Sequence, residues 1–235
     1  MRRVMVVLLS ALSVIVSGVL TAAPANAIVE GAVAGHLRGA AQLYVYGQYT
    51  CSASLIAPTW IMTAKHCITN NGNPAPRDFY VNLGDRTLGG TSSGQRIRVK
   101  GYTGYALADL ALMELEAPAR NNEWITEIVG EGLWPAVNTE LAVSGWGATA
   151  VGGDIPAPQL KVCTVKVLDR VDVNTFSGFG INGFPLTGDS GGPVSDARHV
   201  QVGVTARVDV QARIGYFVAI GETDTRRWIR SKTGV

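Results

Sequence analysis

Gly188-Asp189-Ser190-Gly191-Gly192-Pro193 constrains this chain more than any other stretch of its 235 residues. A serine hydroxyl is a weak nucleophile near neutral pH and needs a base to take its proton. The oxygen that turns negative during acyl transfer needs donors already aimed at it. Glycines around Ser190 let the backbone turn so that the N–H groups of Gly188 and Ser190 can face one point. A serine among glycines is by itself only a loop signal. The reading therefore depends on a base and an orienting carboxylate elsewhere in the chain.

Both are present, in the chain order His, Asp, Ser. Thr63-Ala64-Lys65-His66-Cys67 offers the base, and Ala108-Asp109-Leu110-Ala111-Leu112 the carboxylate. With the alternation of a strand, Asp109 shares a face with Ala111, Met113 and Leu115. A carboxylate on such an apolar face is costly unless a donor meets it, and the ring N–H of His66 is a suitable donor. His36 and His199 have no such context and read as surface or structural residues.

With Ile28-Val29-Glu30-Gly31, Ser144-Gly145-Trp146-Gly147 and Trp228-Ile229 added, the chain resembles the secreted serine proteases of the trypsin and chymotrypsin family. The likeness covers nearly all of residues 28–235. It implies an all-β fold of two six-stranded antiparallel barrels of the chymotrypsin type, with a C-terminal helix. The first barrel would span about 28–125, the second about 135–222 and the helix about 223–232, with the crossing near 123–134. It implies an extracellular serine endopeptidase in which His66 is the general base, Asp109 fixes its tautomer and Ser190 is the nucleophile. Gly188 and Ser190 would supply the oxyanion hole. Asp189 would receive the α-amino group of Ile28 in a buried ion pair. A binding or regulatory protein with little turnover on the same scaffold is the alternative, since fold does not guarantee activity.

Residue pattern alone reaches a less specific conclusion. Short β-rich runs such as Arg96-Ile97-Arg98-Val99, Leu141-Ala142-Val143-Ser144 and Val200-Gln201-Val202-Gly203-Val204 are separated by Gly, Pro, Asn and Asp, which gives an all-β domain. Only the C-terminal end reads as helix, capped within Thr223-Asp224-Thr225, with Trp228 and Ile229 on one face.

Residues 1–27 carry two arginines, an apolar stretch from Val4 to Leu20 and the small-x-small site Ala25-Asn26-Ala27, the parts of a signal peptide. A retained membrane anchor is the competing reading of that stretch. Cleavage after Ala27 would expose Ile28 directly, with no activation peptide ending in a basic residue, and leave no membrane segment. The remaining 208 residues carry 18 basic and 18 acidic side chains. That balance argues against a nucleic-acid or anionic-membrane surface. A secreted monomer acting on protein or peptide substrates, with protein protease inhibitors as further partners, is expected from the resemblance.

Three cysteines allow three pairings with one thiol left over. The resemblance selects Cys51–Cys67, the pair that pins the histidine loop. Cys163 shares a strand face with Val165 and Val167, and reads as a buried, inert thiol in preference to a link with another chain. No zinc motif, phosphate loop or metal-ligand cluster is visible, so neither cofactor nor metal is expected. Carboxylates of distant loops remain free to converge on calcium.

The primary pocket departs from the family. Trypsins carry an aspartate six residues before the nucleophile, where this chain has Phe184, and Leu186 replaces a cysteine often found four residues before it. The family's Ser-Trp-Gly wall is matched by Ala206-Arg207-Val208. Phe184, Ala206 and Val208 together imply a small apolar pocket for Ala, Val or Leu before the scissile bond. Loop shifts that relocate these residues are the competing reading.

Overall fold

In the computed structural model, which describes residues 28–37, 39–69 and 78–235, the short β-rich runs become thirteen strands. The leader expected over residues 1–27 lies outside the described residues. After β1 (Ala32–Val33) come β2 (Ala40–Val45), β3 (Gln48–Ala57), β4 (Trp60–Thr63), β5 (Phe79–Leu83), β6 (Gln95–Gly104) and β7 (Ala111–Leu115). They close in the order β2-β3-β4-β7-β6-β5 and back to β2. The alternation is plain in β6, where Ile97 and Val99 are buried while Arg96, Arg98 and Lys100 point to solvent. Leu43, Leu55, Ile61, Phe79, Val81 and Met113 fill the interior. The β2–β3 turn places Tyr46 and Gly47 at φ 48° and 78°, the double left-handed turn whose twist suits a hairpin.

β8 (Glu140–Gly145), β9 (Lys161–Arg170), β10 (Thr175–Gly180), β11 (Pro193–Ser195), β12 (Gln201–Asp209) and β13 (Ile214–Ala219) build the second barrel. They run β8-β9-β10-β13-β12-β11 and return to β8. All pairings between these strands are antiparallel, and closure leaves neither barrel a long free edge among the described residues. β1 pairs with β9, so the start of the described chain, expected within the first barrel, attaches to the second.

The barrels share apolar surface. β7 buries both its faces: Ala111, Met113 and Leu115 point into the first barrel. Leu112 joins Leu110, Met62, Ile56 and Tyr105 in one buried cluster with Val143, Val165, Phe176 and Phe217 of the second. Each large aliphatic side chain so buried contributes about 1.5–3 kcal/mol. The chain crosses at residues 126–127: Thr126 N–H donates to Leu55 O at 2.9 Å, and Glu127 O accepts from Gln201 N–H at 2.8 Å.

The helix α1 (Thr223–Thr233) forms as expected, but its cap is Glu222. The Glu222 carboxylate accepts from the N–H groups of Asp224 and Thr225, and its charge suits the positive helix end. Ile229 is buried, while Trp228 packs on Tyr105 with ring centroids 4.8 Å apart. The helix thus ties the second barrel to the first. Among the described residues no helix is long and apolar enough to cross a membrane.

Cys51 and Cys67 form the expected disulfide. Closing a loop of this length contributes about 3 kcal/mol in the chain-entropy model. Cys163 is a free, buried thiol, and burial pushes its pKa far above the ordinary value, as an inert thiol requires.

Candidate active site

His66 sits on a 3-10 turn, Lys65–Cys67, directly after β4. The disulfide holds one end of this turn. Lys65 holds the other, its ammonium donating to Tyr105 O at 2.8 Å. His66 makes two bonds to one carboxylate. Its backbone N–H donates to Asp109 Oδ1 at 2.9 Å, and its ring Nδ1 lies 2.7 Å from Asp109 Oδ2. Burial pushes the Asp109 carboxyl up, but the His66 hydrogen bonds and charge, with Lys65 beyond, outweigh it and hold the carboxyl below its ordinary value. The carboxylate is therefore ionised at neutral pH and orients the ring.

Asp109 does not lie on the apolar face of a strand, as the alternation implied. It occupies a bend, and β7 begins only at Ala111. The side chain is one-third exposed. A bend lets the carboxylate reach both the ring and the backbone of His66, which a strand position in register with Ala111 would direct into the barrel.

Ser190 lies on the loop before β11. Gly188 and Gly191 take φ 94° and 81° there, a region open to glycine. A Cβ on Gly191 would come within 2.0 Å of Thr63 Oγ1, so the loop packs tightly against the strand end that leads to His66. Cys67 Sγ lies 3.9 Å from Ser190 O. Most N–H groups of the loop are spent: Asp189 donates to Leu186 O, Gly191 to Thr205 O and Gly192 to Asp189 O. Those of Gly188 and Ser190 have no acceptor among the described residues. They are the two proposed from sequence for the oxyanion hole.

Asp189 points away from the cleft and is fully buried. Its Oδ1 accepts from Gly147 N–H and its Oδ2 from Leu186 N–H, both at 2.8 Å. Burial raises its carboxyl to about 7 despite these two donors. Gly147 has no alternative here, because a Cβ would fall 2.4 Å from the carboxylate. Among the described residues no cationic side chain pairs with Asp189.

One positioning residue escapes the sequence reading. The Gly188 carbonyl accepts three hydrogen bonds: from Ser52 N–H at 2.9 Å, Ser52 Oγ at 3.0 Å and Tyr49 Oη at 2.8 Å. Burial and the Asp189 charge together push the Tyr49 phenol well above its ordinary pKa, so the hydroxyl stays a donor. Fixing this carbonyl fixes the peptide plane between the two unspent N–H groups. Tyr49→Phe leaves two of the three donors and is expected to lower kcat about three- to tenfold with KM nearly unchanged, the effect of about 1 kcal/mol. Steady-state kinetics beside a melting curve check this. A lower Tm with unchanged kcat would leave the hydroxyl a purely structural role.

Ser190 opens onto a cleft walled by Leu186 and Thr187 of its own loop and by Thr205, Arg207 and Val208 of β12. Of the three pocket residues expected, Val208 lines this cleft. Phe184 lies behind the wall, buried with Ala148 and Leu186, under the Arg213 guanidinium at 5.0 Å. Ala206 packs against the main core cluster. The register of β12 shifts between Thr205 and Arg207, and the sequence neighbours Arg207 and Val208 both reach the wall, which strict alternation along a strand does not give. His36 and His199 meet edge to face, ring centroids 4.6 Å apart, and line no part of this cleft. Cys51, His66 and Cys67 cluster within metal-ligand distance of one another, but both sulfurs are consumed by the disulfide and offer no thiolate.

Comparison with known proteins places this geometry in context. The family model described as Trypsin matches residues 28–229. An uncharacterized peptidase of Corynebacterium glutamicum (strain R) is 28% identical over 199 residues, covering 80% of this chain and 66% of that protein. Trypsin of Xenopus laevis is 27% identical over 161 residues, covering 63% of this chain and 66% of its own length. Transmembrane protease serine 11G of Rattus norvegicus is 27% identical over 226 residues, 82% of this chain and 52% of that protein. The matched region thus spans just under two thirds of the first of these relatives.

Proposed function

The chain belongs to the trypsin family of serine proteases, and from this we propose that it is an extracellular serine endopeptidase working through an acyl-enzyme on Ser190. Ser190 Oγ attacks the scissile carbonyl carbon while the second ring nitrogen of His66 takes its proton. The carbonyl oxygen, now negative, receives the N–H groups of Gly188 and Ser190. Collapse breaks the C–N bond, and His66 returns the proton to the leaving amine. Water then attacks the ester by the same route and frees Ser190. Asp109 keeps the proton on Nδ1 throughout and stabilises the imidazolium.

The observation that carries this reading is the pair of unspent N–H groups flanking Asp189, on a loop wedged against the His66 turn. Ile28 supports the rest. It is fully buried and takes φ 47°, a strained value for a β-branched residue. A chain beginning at Ile28 has no φ there and no such strain. Val29 bridges Phe184, five residues before Asp189. Removal of residues 1–27 as a secretion leader would then place an ammonium group beside the unpaired carboxylate. The apolar wall of Leu186 and Val208, backed by Phe184, favours a small apolar residue before the scissile bond. The enzyme acts as a monomer on proteins and peptides, and the same cleft would admit protein inhibitors.

Intact-mass measurement of the secreted protein after exposure to a serine-directed organophosphonate tests the assignment. One adduct is expected on the wild type and none on Ser190→Ala. Absence of an adduct on folded protein beginning at Ile28 would overturn the proposal in favour of a binding protein.

A further inference from the structure

Arg207 differs from the other cations around the cleft. Arg213 is engaged by Glu30 at 2.8 Å, and Lys65 by the Tyr105 carbonyl. Arg207 is exposed, and among the described residues no carboxylate forms an ion pair with it. Asp209, two residues along β12, turns Oδ1 to the Ala212 N–H at 3.0 Å instead. The Arg207 guanidinium lies over the Tyr216 ring, Cζ 3.8 Å from the centroid. Stacking of this kind fixes the plane of the guanidinium while leaving its in-plane N–H donors free, the geometry that accepts a carboxylate. A cation ordered before its partner arrives gives up little freedom on binding.

The backbone around it offers a track. β12 pairs with β11 only as far as Val204, whereas its pairing with β13 runs to Asp209. From Ala206 outward, one edge of β12 has no strand of the described residues beside it. An extended peptide can add to such an edge through main-chain bonds, its side chains then being read by what lines the track. Arg207 lines the same cleft as Ser190, so a peptide held there for acyl transfer passes beneath a fixed positive charge.

We infer that Arg207 is a specificity residue for a substrate carboxylate: an acidic side chain one or two positions upstream of the residue that occupies the apolar pocket. The inference rests on the proteolytic reading above. Within this cleft Leu186 and Val208 form the apolar wall, and Arg207 stands on β12 where the unpaired edge begins, which assigns the acid to the positions upstream of the residue that faces the apolar wall.

Fluorogenic peptides with Ala before the scissile bond, and Glu, Gln or Lys one or two residues upstream, test the inference. The ratio of kcat/KM for Glu over Gln is expected to be about three- to tenfold in the wild type, the range of a partly exposed charge pair. It should shrink in 1 M salt, fall to about one in Arg207→Gln and give way to a Lys preference in Arg207→Glu. Melting curves confirm that the variants fold. Equal rates on Glu and Gln peptides in the wild type, or a Glu preference that survives in Arg207→Gln, would overturn the role of Arg207 and leave the protease assignment intact. A Glu preference confined to the residue directly before the scissile bond would also overturn it. If no peptide is cleaved and Ser190 takes no phosphonate, both proposals fall together.

Discussion

Asp109→Asn is expected to lower kcat by about four orders of magnitude, the general size of this change in such triads, with KM altered little. The geometry leaves the amide one orientation. Asp109 Oδ1 accepts from the His66 backbone N–H, so the asparagine oxygen must take that place. Its NH2 group then faces His66 Nδ1, where Oδ2 now stands at 2.7 Å. A donor there requires Nδ1 to be an acceptor and moves the ring proton to the other nitrogen. The nitrogen meant to receive the Ser190 proton is occupied, and the base is lost without any loss of packing. Asp109→Ala leaves the ring unheld but lets it choose its tautomer. Steady-state kinetics on both variants check this, and the asparagine enzyme should be the slower at neutral pH. An Asp109→Asn enzyme within tenfold of wild type would mean that Asp109 does not set the tautomer.

The His66–Asp109 pairing and the tight loop at Ser190 were readable because each lies in a short contiguous motif whose neighbours have a job. Cys67 closes the disulfide beside His66, and Gly191 fits where no Cβ can. An all-β domain was readable from the short alternating runs, and the two barrels only from the resemblance, since closure rests on pairs such as Val143 with Cys163 and Val194 with Val143 that no local pattern encodes. Asp109 was assigned to a strand because alternation runs smoothly from Asp109 to Leu115, and alternation cannot detect that the strand starts two residues late. Ala206 was assigned to the pocket by matching the family's wall residue for residue, which does not show which way a side chain faces, and here Ala206 packs on the core. Tyr49 gave no signal at all. Its partner carbonyl lies 139 residues away, and a tyrosine on a strand is an ordinary finding.

Asp189 carries the second large effect, and its direction depends on what precedes Ile28. A buried carboxyl raised to about 7 binds its proton more tightly in the folded than in the unfolded chain, where it titrates near 3.9. Its contribution to stability is therefore complete below about pH 4 and is lost as pH rises to about 7. The rise corresponds to about 4 kcal/mol. Protein that retains residues before Ile28 should melt at progressively lower temperature from pH 4 to pH 7. With the proposed pairing, protein beginning at Ile28 should escape that fall, because an ammonium placed beside the carboxylate would favour its charged form. Removing one partner of such a pair costs about 3–5 kcal/mol. Adding a single residue before Ile28 is accordingly expected to lower kcat/KM by about two to four orders of magnitude, through loss of the peptide orientation at Gly188. Asp189→Asn should do the same. Both carboxylate oxygens now accept backbone N–H groups, so an amide must turn its NH2 toward one of these donors. Melting curves across pH 4–8 for the two N-terminal forms, with kinetics at pH 7, decide the matter. Superimposable curves and equal rates would detach Asp189 from the N-terminus and make its burial a feature of the loop alone.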